Sequence, residues 1–127
     1  MDAAELVKKF CRDWPGMSPA EMGEFFAEDC TYENFGLREP LRGPRFVAGA
    51  LEIFRARFEQ IESKMLHVSC DGDTVLCLRR ESFWLPGGRV LHLEAMASIA
   101  VKEGKIAAWK DYCDIRRFRR EVDLTES

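Results

Sequence analysis

The sequence predicts one α+β domain spanning residues 1–127, with helices first and a strand-rich half after them. Three observations predict it. Apolar residues recur at helical spacing as far as about residue 60. From Lys64 onward the period changes to two. Turn sequences then divide the rest into strands: Asp71-Gly72-Asp73, Pro86-Gly87-Gly88 and Glu103-Gly104-Lys105. A chain of 127 residues, 46% hydrophobic and 32% charged, fits a single domain with one buried core.

The elements follow in order. Residues 2–14 place Leu6, Val7, Phe10, Cys11 and Trp14 on one helical face, and Pro15-Gly16 ends that helix. Ser18-Pro19-Ala20-Glu21 has the form of a capping box, so a second helix is expected to about residue 27, burying Met22, Phe25 and Phe26. Residues 30–35 read as a short strand and 36–43 as a loop. Pro44 opens a third helix to about residue 60, whose stripe includes Phe46, Val47, Ala50, Leu51, Phe54 and Phe58. Strands are expected over 65–70, 74–85, 89–102 and 106–115, joined as an antiparallel meander.

Charge and cysteine usage exclude several classes. The net charge is -3, without the basic footprint of a nucleic-acid binder. Arg116, Arg117, Arg119 and Arg120 are followed by Glu121, Asp123 and Glu126, which reads as a solvated mixed-charge tail. The five cysteines are odd in number and lack a C-x-x-C pair, and the first residues lack an apolar leader. Reduced thiols in a cytoplasmic protein are the expectation. No apolar run is long enough to span a bilayer. His67 and His92 have no partner at metal spacing, so no structural metal is expected.

Strand alternation then acts on the polar residues. One face of 74–85 carries Val75, Cys77, Arg79, Glu81 and Phe83. One face of 89–102 carries Leu91, Leu93, Ala95, Ala97, Ile99 and Val101, which must point to the helices. In the last strand Ala107, Trp109, Asp111, Cys113 and Ile115 share a side. Ionisable groups thus sit in apolar rows, where burial requires a partner. Spacing alone leaves two arrangements. Arg79 and Glu81 form an ordinary ion pair on an exposed sheet face with Asp111 separate, which spacing favours, or Arg79 stands between two buried carboxyls. Tyr32 and Asn34 also share a strand face.

Tyr32-Glu33-Asn34, Arg79-Arg80-Glu81 and Trp109-Lys110-Asp111-Tyr112-Cys113-Asp114, in that order on this element plan, resemble the limonene-1,2-epoxide hydrolase family within the NTF2-like (SnoaL-like) superfamily. The resemblance covers nearly the whole chain. It implies an NTF2-like cone, with N-terminal helices packed on a strongly curved antiparallel sheet that encloses a pocket. It also implies cofactor-independent, one-step hydrolysis of a small lipophilic epoxide to a diol. Asp111 would be the general base on a water held by Tyr32 and Asn34, Glu81 the general acid, and Arg79 the bridge between the carboxyls. Phe83, Leu93, Ala95, Cys113 and Phe118 would line the substrate pocket. Two departures stand out: Glu81 where the family has Asp, and Cys113 where it has Phe. The hairpin between Glu81 and Arg89 is also one residue shorter.

Two other functions fit the same residues. One is a ketosteroid-isomerase-like or polyketide-cyclase-like enzyme moving protons on a carbon acid. The other is a non-catalytic small-molecule binder. A homodimer through the outer sheet face is expected by resemblance. The apolar row Leu76, Leu78 and Trp84 independently suggests a partner.

Overall fold

A computed structural model describes residues 1–34 and 38–126, with side chains as far as Val122. Helix α1 (Ala3–Asp13) starts at Asp2, whose carboxylate accepts the Glu5 N–H at 2.8 Å. It buries Leu6, Val7, Phe10 and Cys11 on one face. A 3-10 turn (Trp14–Gly16) leads to helix α2 (Pro19–Gly23). There the Ser18 hydroxyl accepts the Glu21 N–H at 3.1 Å and the Glu21 carboxylate accepts the Ser18 N–H at 3.0 Å. Helix α3 (Pro44–Arg55) begins with proline, which lacks the N–H that a first turn leaves unpaired.

Six strands form one sheet: β1 (Phe26–Asn34), β2 (Leu41–Arg42), β3 (Gln60–Asp71), β4 (Thr74–Trp84), β5 (Val90–Lys102) and β6 (Lys105–Cys113). Their order across the sheet is β2-β1-β6-β5-β4-β3. The sheet is curved and does not close into a barrel. From β3 to β6 it is the expected antiparallel meander. The β5–β6 turn, Glu103-Gly104, has φ of 51° and 74°, the left-handed pair that suits a two-residue hairpin. The exception to antiparallel pairing is β1, which runs parallel to β6 and sets Tyr32 beside Trp109 and Asn34 beside Asp111.

Packing follows the alternation. The inward row of β5, from Leu91 to Val101, is buried throughout. Phe10 of α1 meets Phe25, Phe26 and Trp109 at ring separations of 5.3, 5.2 and 5.6 Å. Such aromatic pairs contribute about 0.5–1.5 kcal/mol each beyond area burial. A second group joins Phe54, Phe58, Phe83 and Phe118. Of the outward row Leu76, Leu78 and Trp84, only Leu76 is exposed and the other two are half-buried, while Met96 and Tyr112 on the same outer face are exposed.

The structure corrects several expectations. Helix α2 ends at Gly23 instead of near residue 27, because Phe26 is already paired with Ile106 in the sheet. Helix α3 ends at Arg55 instead of near residue 60. The Glu59 N–H donates to the Trp84 carbonyl at 2.8 Å and β3 starts at Gln60, well before residue 65. Phe46, expected in the buried stripe of α3, is exposed. The mixed-charge tail is in fact helix α4 (Ile115–Glu126). The Asp114 carboxylate caps it by accepting the Arg117 N–H at 3.1 Å, and Phe118 and Val122 pack inward. The loop expected over 36–43 contains β2, and Phe35, Gly36 and Leu37 lie outside the described residues. No helix is long and apolar enough to cross a membrane, among the described residues.

Candidate active site

Strand β4 delivers Arg79 and Glu81 to the concave side of the sheet, and β6 delivers Trp109 and Asp111. Strand β5 lies between them. Two strand spacings of about 4.8 Å therefore separate β4 from β6, roughly 9.6 Å. The register puts Arg79 opposite Ala95 and Asp111 opposite Ala97. These methyl side chains leave room for the guanidinium to pass diagonally over β5. Arg79 Nη2 donates to Asp111 Oδ1 at 2.9 Å, and Arg79 Nε donates to Glu81 Oε1 at 2.8 Å. The exposed-face alternative is thereby excluded. Arg79 is only 4% exposed and Asp111 5%.

The two carboxyls differ in their surroundings. Asp111 Oδ1 also accepts the Trp109 indole N–H at 2.8 Å, and Asp111 Oδ2 accepts the Tyr32 hydroxyl at 3.0 Å. Three donors on one side chain match an ionised, acceptor-only carboxylate. Glu81 Oε1 accepts from Arg79 and from the Ser63 hydroxyl at 3.3 Å. Its Oε2 is buried and has no partner among the described residues. Burial pushes the Glu81 carboxyl up from its usual range, against the opposing pull of Arg79. Burial, followed by the Asp111 charge, raises Tyr32 well above an ordinary phenol, so it remains a donor. Burial lowers Arg79, but the charges of Asp111 and Glu81 outweigh it and hold the guanidinium firmly protonated. The site thus supplies an acceptor at Asp111 and, at Glu81, a carboxyl that burial shifts toward its neutral form.

All ten residues singled out from the sequence line one cavity of about 350 Å³: Tyr32, Asn34, Arg79, Glu81, Phe83, Leu93, Ala95, Asp111, Cys113 and Phe118. That volume lies within the usual range for small-molecule pockets. Tyr32 and Asn34 arrive through the parallel pairing of β1 with β6. Tyr32 bonds Asp111 directly as well as facing the cavity. The helices add an apolar wall from Phe10, Trp14, Leu51 and Phe54. Cys113 and Cys11 line the cavity too, but burial raises both thiols and keeps them in the poorly nucleophilic form.

Sequence reasoning did not find Trp109 and Ser63 as partners of the carboxyls. Trp109 shares the inward face with Asp111 two residues on, a usable signal, though an indole there fits plain packing equally well. Ser63 lay outside the strand expected to begin at residue 65.

Comparison with known proteins places the fold. A family model for the SnoaL-like domain matches residues 7–109. An LEH-like epoxide hydrolase from M. tuberculosis superposes with a TM-score of 0.79 at 24% identity, covering 97% of this chain and 90% of that one. A protein from Jannaschia named for a SnoaL-like polyketide cyclase gives 0.82 at 13% identity, covering 94% and 90%. An NTF2-like protein of unknown function from Burkholderia pseudomallei gives 0.82 at 13% identity, covering 96% and 98%. At these identities the likeness is one of fold.

Proposed function

The chain belongs to the SnoaL-like domain family, and from that premise we propose that it is an enzyme that adds water to a small lipophilic epoxide, giving a vicinal diol. One observation carries the reading. A single buried guanidinium joins two carboxyls in the wall of an apolar cavity, one accepting three hydrogen bonds and the other with one oxygen that has no partner among the described residues. An epoxide needs a proton on its oxygen to open readily, and water needs a base to attack. Carboxyls with unlike environments supply both.

In this scheme Asp111 Oδ2 takes a proton from the attacking water, because Oδ1 is occupied by Arg79 and Trp109. Tyr32 and Asn34 hold the water. The new C–O bond forms as the ring C–O bond breaks, and Glu81 passes its proton to the leaving oxygen. The proton then returns from Asp111 to Glu81 through solvent, and no covalent intermediate or cofactor enters. Glu81 is one methylene longer than the Asp of the limonene-1,2-epoxide hydrolase family that the sequence resembles. Ser63 and Arg79, both bonded to Oε1, hold that longer side chain in place. Cys113, where the limonene-1,2-epoxide hydrolase family has Phe, would enlarge or reshape the cavity. The exposed outer row Leu76, Met96 and Tyr112 supports a homodimer, which light scattering on the purified chain would establish.

The test is a screen of small alicyclic epoxides and of enones in metal-free buffer, scored for diol and for isomerised product. Diol formation is expected. Asp111→Asn should lower kcat by about 10²–10⁴-fold while circular dichroism stays unchanged. Turnover of enones alone would replace this reading with proton transfer on carbon. Undiminished diol formation by the Asn variant would remove Asp111 from the mechanism.

A further inference from the structure

Of the hydrogen-bond donors described for the two carboxyls, Tyr32, Arg79 and Trp109 stand in the cavity wall. Ser63 stands outside that wall, half-buried on the edge strand β3. It meets the cavity only through Glu81.

An irregularity in the sheet puts it there. Strand β3 pairs with β4 in one register from Gln60 to Met65 and in another from His67 to Asp71, with Leu66 left over between them. On the turn side of this bulge, Val68 lies opposite the buried Cys77 and packs on the core. Strict alternation from Val68 would carry Leu66 and Lys64 inward and turn Ser63 outward. The extra residue reverses the faces, so Met65 comes opposite Arg79 and Ser63 opposite Glu81. The Ser63 hydroxyl then donates to Glu81 Oε1 at 3.3 Å, the same oxygen that Arg79 Nε reaches at 2.8 Å. Glu81 Oε2 is buried with no partner among the described residues.

We propose that Ser63 is a positioning residue for the acid: with Arg79 it occupies Oε1 of Glu81 and so keeps the proton on Oε2, the oxygen left to meet the substrate. The proposal rests on the epoxide reading and adds the residue that decides which oxygen of Glu81 acts. Oε1 accepts two donors and has both lone-pair sites taken, whereas both sites of Oε2 are open. When the ring C–O bond breaks, the proton passes from Oε2 to the ring oxygen and its electron pair stays on the carboxyl. The carboxylate formed is already held at Oε1 by both donors. Ser63 thereby also favours the ionised form, against the burial that raises Glu81.

Ser63→Ala and Ser63→Thr are compared with the wild-type chain in two arms, with melting temperatures checked in parallel. The first arm follows diol formation across the pH range. Below the alkaline limb, Ser63→Ala should lower kcat about three- to tenfold, the factor one hydrogen bond supplies. KM should not change, because Ser63 is outside the wall. The alkaline limb of kcat/KM should move to higher pH, since a donor to the ionised carboxyl is lost. Ser63→Thr keeps the hydroxyl and should restore both. The second arm needs no substrate. The Glu81 carboxyl carbon, assigned by its absence from Glu81→Gln, is titrated by carbon-13 NMR. It should titrate at higher pH in Ser63→Ala and as in the wild type in Ser63→Thr. An unmoved titration overturns the proposal whether or not any epoxide is hydrolysed. So does an unchanged kcat, a loss that appears in KM, or a threonine variant no better than alanine. A shifted titration in a chain that hydrolyses no epoxide would refute the hydrolase reading and leave Ser63 standing as the residue that sets the Glu81 proton.

Discussion

Arg79→Met removes the one group that both carboxyls share. Its length approximates the arginine stem, so packing over β5 is largely kept and the charge is what changes. Arg79 is 4% exposed, and the side chains of its two partners are 12% and 6% exposed at 2.8 and 2.9 Å. Deleting one member of such a buried network costs about 3–5 kcal/mol, because the remaining charges lose their counterion. For a domain of this size that lowers the melting temperature by about 10–20 °C.

The loss should depend on pH, with a definite sign. Glu81 already has its folded-state carboxyl raised by burial, and Arg79 is the group that opposes the rise. The wild-type chain therefore loses stability from Glu81 as pH increases through the folded-state value. Without Arg79 that value moves higher still, so the variant binds its proton over a wider range. The difference between the two proteins is small in acid and grows toward neutral pH. Urea denaturation at pH 5 and pH 7.5 measures it. A destabilisation below about 1 kcal/mol at pH 7.5, or one identical at both pH values, would refute the claim that the guanidinium sustains buried carboxyl charge.

Other substitutions address the chemistry. Glu81→Gln keeps an acceptor for Arg79 and Ser63 but removes the proton donor. Diol formation should fall by about 10²-fold or more, while stability at pH 7.5 changes little because a raised carboxyl is also removed. A variant within tenfold of wild type would show that Glu81 is not the acid. Trp109→Phe retains the ring against Phe10 and deletes the 2.8 Å bond to Asp111 Oδ1. It should lower kcat about tenfold with KM little changed, as expected for a residue that orients the base. A change confined to KM would assign Trp109 to substrate packing instead.

Much of this site could be read from the strands, because period-two alternation is a strict rule and the β4–β5 ladder has no register shift. Alternation put Arg79, Glu81, Asp111 and their apolar neighbours on inward rows. It could not say that the rows converge, since an exposed ion pair has the same spacing. Convergence depends on Arg79 reaching across β5 to Asp111, and Tyr32 joins them because β1 pairs with β6 in parallel, between segments nearly eighty residues apart. The Tyr32–Asp111 bond, with a sequence separation of 79, is its product. Helix α4 was hidden for a different reason. Its arginines dominate the composition and mask the sparse stripe Ile115, Phe118 and Val122. A stripe that narrow becomes visible only against the wall it covers.

Ala95 and Ala97 carry no chemistry, yet they decide whether the chemistry exists. A branched or longer side chain at either position would stand in the path of the guanidinium and part Arg79 from Asp111, with every charged residue still in place. Chains of this fold could thus gain or lose the coupled carboxyls by a change in methyl count on the middle strand. A survey of relatives for this activity would do well to read those two alanines before it reads the acids.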